Sequence, residues 1–339
     1  NIASREVVVV HTAPILCTSW SPDGQWLAFT MSVPYQGESF VGMPKKPEGA
    51  KWNEPPIVID RMQYRRDGGG YMKDAYNQIF IISTDGGTPL QLSQGYYHHN
   101  GPLSWSGNGE RLYFSANHHD QRDYEVRNSE IHYVDLATRK ITTITDRFGP
   151  DASPQVSPDG NRIAYLGMDD RLQGYQITSL YVMQTDGTQA QCITCDLDRD
   201  INNIQWAADG QSIYAQYDEE GNTKVVRIAL NGQVTEIADN VGGQSLGRPY
   251  SAGDFSVADN GTVAFTHSTP DHPADLAVSQ AAGQVQRISE LNADLLHYKE
   301  LGEVEEIWFE SSFDQRRVQG WICKAPDFDP NKQYPLILE

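Results

Sequence analysis

The sequence is short of positive charge, of cysteine and of long apolar runs, and each shortage removes a class of protein. Its 26 Lys and Arg stand against 45 Asp and Glu in 339 residues, a formal net charge of −19. So acidic a chain repels phosphate backbones and anionic lipid, and neither nucleic acid nor a membrane is expected as a partner. No apolar run approaches the roughly 20 residues of a membrane-spanning helix. Four cysteines, Cys17, Cys192, Cys195 and Cys323, are too few for a disulfide framework at this length. Cys192-Ile193-Thr194-Cys195 has the spacing of a redox motif or of half a zinc site. No second pair completes a zinc site, and neither a metal nor another cofactor is expected. The acidity leaves open an electronegative vestibule for cationic ligands such as free amino termini.

What is present is a repeat. Residues 19–30 read SWSPDGQWLAFT, and the pattern returns at 104–115 (SWSGNGERLYFS), 155–166 (QVSPDGNRIAYL), 205–216 (QWAADGQSIYAQ) and 256–266 (SVADNGTVAFT). Pro-Asp-Gly is turn chemistry, with Gly accepting the positive φ, and the alternating residues on either side suit strands. The turn glycines Gly24, Gly109, Gly160, Gly210 and Gly261 lie 85, 51, 50 and 51 residues apart. The first interval is one period plus an insertion of about 35 residues. A second strand–turn–strand unit follows each hairpin, at 78–93, 130–145, 179–194, 224–239 and 275–290. Asp85-Gly86, Asp186-Gly187 and Asn231-Gly232 are its hairpin dipeptides.

Two hairpins per period make four antiparallel strands, the blade of a β-propeller. The expected fold is therefore all-β, with five full blades. Residues 1–10 align with 135–144, the end of a second hairpin, which adds half a blade. Six or seven blades are expected in the intact protein. In such a blade both tight turns lie on one face and the links between hairpins on the other. The long segments 31–77, 116–129, 167–178 and 240–253 all fall on the link face, where function is expected. The chain leaves its last blade on that face, so whatever follows should dock there. After residue 290 the repeat stops. Residues 302–311 and 317–326 read as strands, and 334–339 (YPLILE) as the start of another. The propeller is placed at 1–290, and a linker with the start of a second domain at 291–339.

The SPDG and DG hairpins, followed by Gly320-Trp321, Pro326-Asp327-Phe328 and Tyr334-Pro335-Leu336-Ile337-Leu338, resemble the S9 serine peptidases of the prolyl oligopeptidase clan. The acylaminoacyl peptidase and dipeptidyl aminopeptidase branch matches best. Residues 54–71 (EPPIVIDRMQYRRDGGGY), 174–176 (GYQ), 197–200 (LDRD) and 247–251 (GRPYS) are similar to segments of bacterial members. The resemblance implies a propeller capping a C-terminal α/β-hydrolase domain, its partner within the same protein, with short peptides reaching an active site between them. An oligomer is compatible with it. In the family the strand like 334–339 runs into an oxyanion segment, and the nucleophile elbow, Asp and His come later. No catalytic residue is therefore expected in these 339 residues. The alternative is a TolB-like binding propeller, because hairpin repeats alone are shared with it.

Candidate residues lie in the links. Tyr64-Arg65-Arg66-Asp67-Gly68-Gly69-Gly70-Tyr71 pairs guanidinium forks with glycines that let backbone approach another surface. Arg65, Arg66 and Tyr71 are candidates for contact with a peptide's carboxylate or carbonyls; the plainer reading pairs the arginines with Asp60 and Asp67. Asp198 with Arg199, and Arg248 with Tyr250, are further candidates. Asp198, Asp200 or Asp169-Asp170 could receive a free amino terminus. His98-His99 and His118-His119 read as solvated loop residues, with a metal-dependent enzyme as the rival. Gly243-Gln244-Ser245-Leu246-Gly247 satisfies G-x-S-x-G, but Arg248-Pro249 follows where an elbow needs a helix, so Ser245 is not expected to be a nucleophile. Trp20, Trp105 and Trp206 recur at one blade position and read as packing.

Overall fold

A computed structural model describes residues 15–35, 44–53, 57–243, 253–280 and 283–338. In it the repeats form five four-stranded sheets, each in chain order. Blade one joins Leu16–Trp20, Trp26–Pro34, Ala75–Ser83 and Leu90–Gln91, and blade two His99–Trp105, Arg111–Ala116, Glu130–Asp135 and Ile141–Thr143. Blade three joins Asp151–Val156, Arg162–Gly167, Ser179–Gln184 and Gln191–Cys192; blade four Asn202–Trp206, Ser212–Glu219, Asn222–Ala229 and Val234–Ala238. Blade five joins Phe255–Val257, Val263–Thr269, His272–Ser279 and Val285–Arg287. The half blade expected at 1–10 lies outside the described residues.

The first turn of every blade is built alike. Its glycine has φ between 63° and 82°, a region open to glycine at no steric cost. In three blades a serine hydroxyl bonds the Asp or Asn two residues on and accepts the N–H that opens the next strand. Trp26 N–H donates to Ser21 Oγ at 2.9 Å, Arg111 N–H to Ser106 Oγ at 2.9 Å, and Arg162 N–H to Ser157 Oγ at 3.0 Å. The serine hydroxyls first, and backbone N–H groups next, hold the Asp23 and Asp159 carboxyls below the usual range. These acids are spent on the turn.

A second repeated device latches the outer strand. Hydroxyls of Ser93, Thr145, Thr194 and Ser289 accept the N–H of Ile79, Ile131, Leu180 and Leu276 at 2.8–2.9 Å. Three of them also donate to the side chain one residue earlier, Gln78, Glu130 or Asp275. Blade four has Asp239 at the aligned position, and there the pairing shifts register between Val225 and Val226.

The chain divides into two compact units, Asn1–Trp206 and Ala207–Glu339. In the first, the core lies between blades. Leu112 and Phe114 pack toward Ala28, Ile79 and Ile81 of blade one, whereas Tyr113 packs with Ile163, Tyr165 and Met183 of blade three. Alternation along one strand thus serves two neighbours, which is why the inner strands are apolar on both faces. Trp105 Nε1 donates to Ser19 O at 3.1 Å, and Trp206 Nε1 to Gln155 O at 2.9 Å. Two of the three recurring tryptophans therefore tie adjacent blades together, while Trp20 is exposed.

In the second unit, Tyr214 and Val225 of blade four pack with Phe255, Val263 and Phe265 of blade five. One helical turn, Ala293–Leu296, precedes a hairpin that pairs Val304–Glu310 with Arg317–Cys323. Gln319 Nε2 donates to Glu220 O at 2.8 Å. Gly221, at φ 78°, leaves no room for a Cβ, which would lie 2.5 Å from Trp321 Cζ2. Glu220-Gly221 is the turn between the second and third strands of blade four, so the hairpin rests on the link side. The strand expected at 334–339 does not form over 334–338. A strand needs a neighbour for its ladder, and none pairs with it among the described residues.

Candidate functional site on the link face

Two clusters occupy the link side of the first unit. The first is aromatic. Tyr35 and Tyr76 stand at the ends of the long insertion of blade one, Tyr96 and His98 on the link to blade two. Ring centroids are 4.3 Å apart for Tyr35–Tyr96, 5.9 Å for Tyr35–Tyr76 and 5.1 Å for Tyr76–His98. Arg61 lies over the Tyr76 ring at 5.7 Å and pairs with Asp74. Burial, helped by the charges of Arg61 and Arg66, lowers the His98 pKa, so the patch is aromatic and cationic without a charged histidine. Arg65 and Arg66 occupy one strand of a small hairpin, paired with Gly70 and Tyr71. Neither forms an ion pair with another described residue, and Asp74, not Asp60 or Asp67, is the acid paired in this insertion. Gly68 and Gly70 adopt φ of 75° and 72° with open space around them. They make the turn of this hairpin.

The histidines depart from the expectation of solvated loop residues. His99 is fully buried in a strand. Its Nδ1 donates to Asn77 O at 3.1 Å, leaving Nε2 to accept from His118 Nε2 at 3.3 Å. His132, also buried, donates from Nε2 to Ala116 O and accepts from Thr143 at Nδ1. The rings of Tyr97 and His132 each lie tilted against His118, with centroids 4.4 Å away. Burial first, then the neighbouring imidazoles and, for His118, Arg122, depresses the pKa of His99 to about 3 and of His118 and His132 to about 4. The three are neutral at pH 7, and protein atoms occupy both nitrogens of His99 and His132. Among the described residues no group of three or more His, Cys, Asp or Glu side chains is placed to hold a metal.

The second cluster is acidic and joins the links of blades two and three. Glu130 is 3% exposed and Asp151 1% exposed. Glu130 accepts from Thr145 and faces His119 Nε2 at 3.4 Å. Asp151 pairs with Arg147, whose guanidinium also lies over Tyr181 at 4.1 Å. Burial dominates both carboxyls, raising Glu130 to about 7 and Asp151 to about 6 despite the hydroxyl, His119 and Arg147 that oppose the rise. Arg127 reaches across to Asp170 at 3.0 Å.

The other candidates divide plainly. Asp200 accepts Thr178 N–H at 2.6 Å and Tyr175 OH at 3.0 Å, so it holds the links of blade three. Asp170 is engaged by Arg127 and Gln176, and Asp169 lies 3.7 Å from Arg147. Asp198 and Arg199 share that link, with Arg199 Nη1 donating to Asp198 O at 2.5 Å. Ser245, Arg248 and Tyr250 lie outside the described residues. Sequence reading missed Glu130, although aligning the second hairpins places it with Gln78 and Asp275. It missed Tyr76 and Tyr96 because nothing local pairs them. The cysteine pair, which the count argued against, is joined: Cys192 and Cys195 form a disulfide.

Residues 62–166 match the family model described as the dipeptidyl peptidase IV N-terminal region. Dipeptidyl-peptidase 5 of Porphyromonas gingivalis is 29% identical over 70% of this chain and 34% of its own length. The uncharacterized peptidase YuxL of Bacillus subtilis is 24% identical over 94% of this chain and 49% of its own. The chain thus spans about a third to a half of these relatives. Among solved structures, an acylaminoacyl peptidase in complex with Z-Gly-Gly-Phe-chloromethyl ketone superposes with TM-score 0.66 at 16% identity, over 95% of this chain and 45% of that one. TolB from Acinetobacter baumannii does so at 0.50 and 20%, over 79% and 52%. At such identities the structures establish the fold, a β-propeller. Through the family match over residues 62–166 and these relatives, the chain is similar to the N-terminal propeller region of the S9 dipeptidyl and acylaminoacyl peptidases.

Proposed function

We propose that this propeller admits short peptides and passes them to a hydrolase domain that begins within 291–339, the propeller itself spanning 1–290. The observation that carries the reading is the end of the second unit. Trp308, Phe309, Trp321, Leu336, Ile337 and Leu338 are all exposed there, a concentration of large apolar side chains of the kind another domain covers. That this domain is a hydrolase is supported by the peptidase relatives, which are two to three times longer than the matched region. In this reading the whole protein releases aminoacyl, acyl-aminoacyl or dipeptidyl units, with acyl transfer through a serine of the hydrolase domain. The propeller restricts size: short peptides enter and folded proteins do not.

Substrate contact is assigned to the aromatic patch and its hairpin. Arg65 and Arg66 offer exposed guanidinium forks for a peptide carboxylate or carbonyl, with Tyr71 beside them and Tyr76 and Tyr96 giving stacking surface. Asp198, Arg199, Arg248 and Tyr250 are the remaining proposed contacts. The test is hydrolysis of chromogenic aminoacyl and acyl-aminoacyl amides, and of a peptide length series, by the protein encoded by the complete gene. Activity should fall as length rises and be absent from residues 1–339 alone. An inactive whole protein, or one cleaving folded proteins as readily as short peptides, overturns the reading.

A further inference from the structure

The cysteine pair belongs neither to the peptide-binding patch nor to the blade scaffold shared by the other repeats. Cys192 ends the two-residue outer strand of blade three, Gln191–Cys192, and its sulfur is bonded to that of Cys195. A ring this short removes little chain entropy from the unfolded state, because the cross-link gains weight with the length of loop it closes. Its effect is local. It brackets Thr194, the buried latch whose hydroxyl accepts Leu180 N–H at 2.9 Å, while Ile193 N–H donates to Leu180 O at 2.8 Å and Leu197 N–H to Thr194 O at 2.9 Å. The following link carries Asp200, which pins Thr178 and Tyr175 of the neighbouring link. In blades one, two and five the equivalent hydroxyl works with no ring around it.

Two features make this bond accessible to exchange. Cys195 is exposed, so an incoming thiolate can reach its sulfur. The Tyr181 hydroxyl lies 3.7 Å from Cys195 Sγ and Arg147 stacks on the same ring at 4.1 Å. A hydroxyl donor with a cation behind it favours a thiolate at Cys195.

We propose that Cys192–Cys195 is a thiol–disulfide exchange site, worked by a dithiol, whose opening loosens the link of residues 196–201. One thiolate of the dithiol attacks Cys195 Sγ, forming a mixed disulfide and expelling Cys192 as thiolate, which takes up a proton. The second thiolate of the dithiol attacks its own sulfur in the mixed disulfide and expels Cys195 as thiolate. The dithiol is oxidised to a disulfide as two electrons pass to the cysteine pair. Opening the ring frees Cys195 from the outer strand, leaving Thr194 and Asp200 to hold the link alone.

The experiment equilibrates the chain without denaturant in buffers of reduced and oxidised dithiothreitol, traps thiols by alkylation, and follows amide hydrogen exchange. Free Cys17 and Cys323, both exposed, are alkylated throughout and serve as internal standards. Cys192 and Cys195 should pass together from unlabelled to labelled as the buffer becomes reducing. Exchange over 196–201 should then quicken by about threefold or more, with the inner strand Arg162–Gly167 unchanged. The double variant Cys192→Ser, Cys195→Ser should match the reduced chain without any reductant. A pair that resists reduction in the folded chain, thiols already free after air oxidation, or exchange over 196–201 that is equal in both states would each overturn the proposal.

Discussion

Glu130 shows how one position acquires different chemistry in different blades. Gln78, Glu130 and Asp275 all accept the latch hydroxyl. Asp275 also accepts Leu291 N–H at 2.8 Å, and that bond leads the causes holding its pKa low. Glu130 is buried beside Asp151, so burial wins and its carboxyl rises to about 7. A pKa raised above the unfolded value means the fold favours the protonated acid. That contribution is complete below the ordinary carboxyl pKa and is lost as pH rises through about 7. The three packed histidines act oppositely: their depressed pKa values give stability above the ordinary imidazole pKa that is lost as pH falls toward 4. Glu130→Gln isolates the first effect. Its melting temperature relative to wild type should be more favourable at about pH 8 than at about pH 5.5. Thermal unfolding by circular dichroism checks this, and an identical difference at both pH values excludes the assignment.

At the scale of elements, blade turns and latches are local devices, while the terminal hairpin depends on one residue far from it in sequence. Gly221 must adopt positive φ and must leave space for Trp321. Gly221→Val is strained on both counts and should cost about 1–3 kcal/mol while displacing the indole. Tryptophan emission should shift red and its quenching by iodide increase, with Gly221→Ala intermediate; unchanged quenching would sink the docking role. The turns themselves were legible in the sequence, because Pro, Asp, Asn and Gly act within four residues. The latch was half legible: Ser93, Thr145, Thr194 and Ser289 align, but their purpose appears only when strands three and four pair. The strand expected at 334–339 does not form over 334–338, because an apolar run describes a surface wanting a neighbour and does not supply one.

At the scale of the molecule, the link face gathers residues that sequence distance keeps apart. Tyr76 and Tyr96, His99 and His118, and Glu130 and Asp151 meet because strand ends and links of the same and neighbouring blades emerge side by side on this face. If Arg65 and Arg66 hold the peptide's carboxylate or carbonyl, Arg65→Ala, Arg66→Ala in the whole protein should raise KM by roughly tenfold with little change in kcat, since such binding is equal in ground and transition states. Steady-state kinetics on short peptides decides it. A fall in kcat at constant KM places these arginines elsewhere.

The sequence by itself determined the four-stranded period, the turn types and the face on which the links fall, since each follows from φ preferences and strand alternation over a few residues. Tertiary structure alone decided which links touch, which histidines are buried and neutral, which acids are spent on turns, and that Cys192 and Cys195 are joined. Those outcomes depend on burial and on the juxtaposition of separate blades. Desolvation shifts a carboxyl or an imidazole according to everything packed around it, and no window of sequence contains that environment.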